Sequence, residues 1–235
     1  MTIHLVLETA DSLLYSYEHL ALKHRKNEGG KQNYKTTFPL LILNASIVEG
    51  ILRYWLANSI KETMEDMIKQ GTAAGQTRKN KAELLLEEYL IEVEGNGGFE
   101  KLKAQYNFFF TVPLDAKSST YDQDAIRALF TLRNVLAHGT ALVAPKVPAS
   151  SPNKQNYVDS WQSKLQVVTV LLKKLTGAAD IFHALDDYSI PLHFFEQSKL
   201  FLQEIRSKLP ATMKESEAHK AMQALRFGYR HRLLR

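Results

Sequence analysis

Hydrophobic side chains recur along this chain at steps of three and four residues, and the runs are broken by glycine, proline and polar clusters, a pattern that predicts helices joined by loops. The first run, Met1 to Asn27, places Leu13, Leu14, Tyr17, Leu20 and Leu22 at helical spacing. Ile3, Leu5 and Leu7 alternate as a short strand would, but the longer period favours helix. Glu28 to Thr37, with Gly29 and Gly30, reads as a loop. Pro39 suits the first turn of a second helix, which runs to about Gln70. Its first half is apolar nearly all round, the mark of a central helix packed on several sides. Glu49 and Arg53 interrupt that half, and on a helical wheel they lie close to Ile42, Ser46 and Leu56, facing inward or towards a cleft. Lys81 to Glu94, with Leu84, Leu85, Leu86, Tyr89, Leu90 and Ile91, forms a short helix that the Gly95 to Gly98 run breaks. Phe99 to Phe110 forms another, and a loop follows to Asp122. Past a proline-containing irregular segment, Thr140 to Asn156, a long helix is predicted from Tyr157 to about Leu185, then one from Pro191 to Leu209 and a last one from Thr212 to Leu225. The sum is an all-α bundle of six to eight helices, read as a single domain over residues 1–235.

The stretch Ala125 to Thr140, AIRALFTLRNVLAHGT, departs from this plain pattern. At about 100° per residue, Ala125, Ala128, Leu129, Leu132, Val135 and Leu136 share one apolar arc, which Ile126, Phe130 and Ala137 extend. Arg133 falls inside the arc, so it is expected to be partly buried and to need a carboxylate, a phosphate or backbone carbonyls around it. Arg127, Thr131, Asn134 and His138 stack on the opposite side as one polar stripe. Asp122 can cap the helix and Gly139 supplies a stop, which puts His138 in the last turn.

Charge and composition narrow the partners. The formal net charge is +5, and Lys214 to Arg235 holds six Lys or Arg against two Glu, so about +4 of it lies in the last 22 residues. Anion binding is therefore expected to be local, at that tail or around Arg133. No run reaches the roughly 18 uninterrupted apolar residues of a membrane span, and the N-terminus lacks a signal-peptide pattern. Together these point to a cytoplasmic protein without a membrane partner. Cysteine is absent, which removes disulfides, thiolate nucleophiles and zinc–cysteine sites.

Several common chemistries lack their residues. There is no GxxxxGK[ST] phosphate loop, no HExxH helix and no GxSxG elbow. The Gly95 to Gly98 run has no βαβ context and reads as a loop. His183 with Asp186 or Asp187, and His193 with Glu196, have helical spacing but no third ligand, so neither metal nor other cofactor is expected. What remains is the arginine and histidine of the central stretch. Arg226 to His231, RFGYRH, repeats the spacing but contains a glycine and has no apolar face. Arg226, Arg230 and Arg232, interleaved with Phe227, Tyr229 and His231, are candidates to grip RNA, or form a solubilising tail.

RNVLAHG, within LFTLRNVLAHGTAL, resembles the signature of the HEPN superfamily, small all-α bundles whose motif is an arginine, usually followed by a polar residue, and a histidine four to six positions on. LILNASIVEGILRYW resembles the apolar family helix that carries an inward glutamate, here Glu49. The resemblance spans Phe38 to Leu185, with the first helix and the C-terminal helices as additions. It implies a metal-independent endoribonuclease, commonly a toxin or antiviral effector, working as a homodimer with a composite active site and in some cases kept in check by an antitoxin or a defence partner. In that reading Arg133 holds the scissile phosphate and His138 moves the proton. Asn134 orients His138 or donates to phosphate, Glu49 fixes Arg133, and Arg127 and Thr131 line the RNA path. The alternatives are a non-catalytic nucleic-acid or nucleotide-binding relative, and a structural module in which Arg133 and Glu49 are only a buried ion pair. Glu49 has a second suitor in Arg53, its i+4 neighbour.

Overall fold

A computed structural model describes residues 9–137 and 165–228, and among them every regular element is a helix. The elements are α1 (Thr9–Lys26), α2 (Tyr34–Ala73), α3 (Lys81–Gly95), α4 (Phe99–Phe110), α5 (Gln123–Ala137), α6 (165–176), α7 (Ile181–Leu185), α8 (Ser189–Lys208) and α9 (Glu217–Ala224). The all-α architecture follows from the helical periodicity of the apolar positions. His138, Arg230, Arg232, the segment 140–156 and the first turns predicted after Tyr157 lie outside the described residues.

The axis of the bundle is α2, a helix of 40 residues that packs against α1, α3, α4, α5, α7, α8 and α9. Leu40, Leu41, Val48, Ile51, Leu52, Trp55 and Leu56 are fully buried on it, on nearly every side, as an all-round apolar sequence requires. An 18-residue window of α2 reaches a mean hydropathy of 1.4, long and apolar enough to cross a membrane, and 72% of that window is buried within the fold. At Gly50 an added Cβ would meet the Cβ of Ala10 at 3.0 Å, so glycine there lets α1 approach closely beside Glu49.

Two of the boundaries that differ from the sequence reading do so for a plain physical reason. First, α2 begins at Tyr34, a full turn before the position expected from Pro39, which lies inside the helix. Its first amide, Tyr34 N–H, donates to Asp186 Oδ1 at 3.0 Å, and Asn33 Nδ2 donates to the Asp186 carbonyl at 3.0 Å. The start of α2 is thus capped from a distant stretch of chain. Second, the single helix expected up to Leu185 is broken. Gly177 adopts φ +69° and its N–H closes on the Lys173 carbonyl at 2.8 Å, the left-handed stop that glycine accepts most readily. Asp180 then caps α7, accepting from Phe182 N–H at 2.9 Å and His183 N–H at 3.0 Å. On α3, whose sequence left its inner side open, Leu90, Val93 and Glu83 are buried, whereas Leu84, Leu85 and Ile91 point outward and Phe108 of α4 joins them on the surface. By contrast α4 keeps the predicted ends, and Asp122 caps α5 by accepting from Asp124 N–H at 2.9 Å.

Two histidines are buried in the bundle, His24 and His219, and a third, His193, is partly so. His24 is fully buried, with Nδ1 2.7 Å from Thr36 Oγ1, Nε2 2.9 Å from the Tyr188 carbonyl and its ring stacked on Tyr188. His219 lies between Glu215 and the edge of Trp55, and His193 has a buried Nε2 with no hydrogen-bond partner. Burial holds all three below the ordinary histidine value, and in His219 it outweighs the pull of Glu215. In the unfolded chain these rings titrate near about 6.5, so below that pH the unfolded state binds more protons than the folded one. Their stabilising contribution is therefore full above about pH 6.5 and declines as the pH falls through that value towards the depressed folded pKa values. The melting temperature should drop steadily between about pH 7.5 and pH 5.5 in circular-dichroism melts. A flat or rising profile over that range would contradict neutral buried imidazoles.

Candidate functional site

The site forms where α5 docks on α2 beside the turn from α3 to α4. The buried face of α5 follows the sequence arc up to its last turn: Ala125, Ile126, Ala128, Leu129, Phe130, Leu132 and Val135 are buried and Leu136 partly so, whereas Ala137, which the arc includes, is exposed at the helix end. Phe130 stacks face to face on Phe99, the first residue of α4, with centroids 3.8 Å apart. One turn further on, Arg133 leaves the packed face with its side chain 30% exposed.

Glu49 lies at the bottom of this junction, buried on α2, and it gathers three donors on a single oxygen. Oε1 accepts from Arg53 Nη2 at 2.9 Å, from Arg53 Nε at 3.2 Å and from the Gly98 N–H at 3.1 Å. Arg53 also donates through Nη1 to the Val93 carbonyl, near the end of α3. Gly98 has φ +109°, a region that side chains with a Cβ rarely enter, and it is the residue from which α4 starts. The carboxylate therefore ties together α2, the end of α3 and the beginning of α4. Tyr106 fixes α4 one turn from its other end, donating its hydroxyl to the Leu52 carbonyl at 2.6 Å.

The other oxygen, Oε2, is buried and accepts no hydrogen bond. Arg133 Nη2 lies 3.7 Å from it, close enough for charge attraction but beyond hydrogen-bond reach. Arg133 instead donates through Nη1 to Asn134 Oδ1 at 3.0 Å. Of the two partners the sequence allows for Glu49, Arg53 is the close one and Arg133 the looser one. Both belong to one cluster, in which two guanidinium groups face one carboxylate and leave a positive charge at the mouth of the junction.

Other candidates are placed differently. Arg127 is exposed and lies 3.9 Å from Asp124, while the Thr131 hydroxyl donates back to the Arg127 carbonyl at 2.9 Å. These residues keep to the outer side of α5, away from Glu49. Arg226 is exposed, beyond α9. His183 pairs with Asp180, at 2.7 Å, rather than with Asp186 or Asp187, and among the described residues no group of three or more His, Asp or Glu side chains is placed to hold a metal ion. Sequence reasoning missed Gly98 and the Val93 carbonyl, because a glycine run read as a spacer does not reveal where its amide points.

No protein-family model matches the chain, nor does any curated protein or solved structure.

Proposed function

We propose that this chain is a HEPN-type, metal-independent endoribonuclease that acts as a homodimer on cytoplasmic RNA, as a toxin or antiviral effector. The observation that carries the reading is the meeting of Glu49 on α2 with Arg133 on α5, 3.7 Å apart at the rim of the junction. A partly exposed arginine that donates to Asn134, with a buried carboxylate near it, keeps a positive charge at the surface, which suits a phosphate. The chemistry needs few other groups, since RNA carries its own nucleophile. The 2′-oxygen attacks phosphorus and gives its proton to a base, the bond to O5′ breaks, and O5′ takes a proton from an acid. The products are a 2′,3′-cyclic phosphate and a 5′-hydroxyl. Arg133 neutralises the charge that gathers on the phosphorane, Asn134 holds the arginine, and His138 with its copy from a second protomer supplies base and acid.

The test is incubation of the purified protein with total RNA and tRNA in excess EDTA, beside His138→Ala, with the product ends mapped. The expected result is cyclic-phosphate ends from the wild type and a loss of about 10²- to 10⁴-fold in the variant, which should remain a folded dimer by light scattering. RNA bound but left intact by the wild type, with binding lost in Arg133→Ala, would replace catalysis with recognition. A folded protein that neither binds nor cuts RNA would sink the reading.

A further inference from the structure

Arg133 stands between two holds. Inward lies Glu49 Oε2, a buried carboxylate oxygen without a donor, 3.7 Å from Nη2. Outward lies Asn134 Oδ1, which already accepts from Nη1 at 3.0 Å. A buried acceptor gains from taking a hydrogen bond, and a modest turn of the guanidinium would supply it. Arg133 nevertheless stays out. The reason lies on the other oxygen, where Arg53 places two N–H groups on Oε1 and Gly98 adds a third. Arg53 is anchored more firmly than Arg133: it shares a helix with Glu49 at i+4, it is also bonded to the Val93 carbonyl, and its side chain is 19% exposed against 30% for Arg133. A carboxylate already matched by one close guanidinium attracts a second far less, because the two cations repel each other across it.

We propose that Arg53 is a positioning residue: by neutralising Glu49 it keeps Arg133 from being captured, so that the Arg133 guanidinium remains available to an anionic ligand. Without Arg53, Glu49 draws Arg133 inward, its N–H groups turn to Oε2, and the surface loses its charge. The anion is a phosphate group of RNA insofar as the nuclease reading holds, but the competition between the two arginines does not depend on that reading.

The experiment measures the rate at which phenylglyoxal, an arginine-selective reagent, modifies Arg133, read by peptide mass spectrometry. Four proteins are compared with folding verified by circular dichroism: wild type, Arg53→Met, Glu49→Gln and Glu49→Gln/Arg53→Met. Arg133 should react readily in the wild type and slow about fivefold or more in Arg53→Met, the low end of coupling between linked sites. It should recover in the double variant, where no carboxylate remains to capture it. Affinity for a single-stranded RNA oligonucleotide should follow the same order. If Arg53→Met leaves Arg133 as reactive as in the wild type, the proposal is overturned. If Arg53→Met does not fold, Glu49→Gln decides: the proposal expects Arg133 reactivity within about twofold of wild type, whereas an arginine held by Glu49 would be freed about fivefold or more. The expected labelling pattern without any RNA binding would remove the nuclease reading and leave the role of Arg53 standing.

Discussion

Replacing Glu49 with alanine should destabilise the fold by about 2–4 kcal/mol, somewhat less than the roughly 3–5 kcal/mol for breaking a fully buried ion pair, because Arg53 and Arg133 both reach some solvent. The loss has three sources. Arg53 keeps its bond to the Val93 carbonyl but no longer has a counter-charge in a half-buried setting. The Gly98 N–H loses the acceptor that fixes the turn into α4. A cavity opens between helices whose contact Glu49 fills. For a chain of this size a drop of roughly 5–15 °C in melting temperature follows. Glu49→Gln should cost much less, since the amide oxygen still accepts from Arg53 and Gly98 and only the charge is lost. A thermal melt of the two variants side by side checks this. Equal losses would mean that shape, and not the carboxylate's hydrogen bonding, holds the junction.

The same cluster shows where sequence reasoning reaches its limit. Helical geometry alone puts Arg53 within reach of Glu49, since i+4 neighbours meet on any helix. Whether Arg133 also arrives depends on how α5 docks, and that was visible only as an arginine in the wrong place on an apolar arc. The arc itself was legible, residue by residue from Ala125 to Val135, because buried positions on a helix repeat at a fixed angle. Gly98 was not legible. Its contribution is a backbone N–H aimed by a positive φ, and no side chain announces it.

At the level of the fold, local signals succeeded where the ends of a helix are set locally. α4 stops at Thr111, itself in the left-handed region, and starts at Gly98, and a glycine run marks that start in the sequence. α2 failed the same reasoning because its cap comes from Asp186, 152 residues away. The sequence left the inner side of α3 open: apolar content on that helix exceeds what α2 can cover, so periodicity could not say which side faces in. Gly177 was a readable break that an otherwise strong apolar period masked.

Trp55→Ala should cause the other large loss, about 3–5 kcal/mol, as expected for emptying the space of a large aromatic core residue. Trp55 is fully buried on α2, two residues past Arg53, and the His219 ring packs against it edge-on, with centroids 4.9 Å apart and planes at 70°. That contact helps seat α9, a helix of eight residues that is too short to hold itself in place without packing. The indole N–H has no hydrogen-bond partner, so Trp55→Phe forfeits ring area yet removes a buried unsatisfied donor, and it should cost only about 1–2 kcal/mol. Urea unfolding followed by circular dichroism gives both values, and amide exchange localises them: in Trp55→Ala the amides of α9 should exchange faster before those of α5 do. A phenylalanine variant as unstable as the alanine one would show that the N–H matters more than it does here. If α9 loosens while the phenylglyoxal reactivity of Arg133 stays at its wild-type level, the Glu49 junction draws its geometry from α2, α4 and α5 alone, and the C-terminal helices serve the core rather than the site.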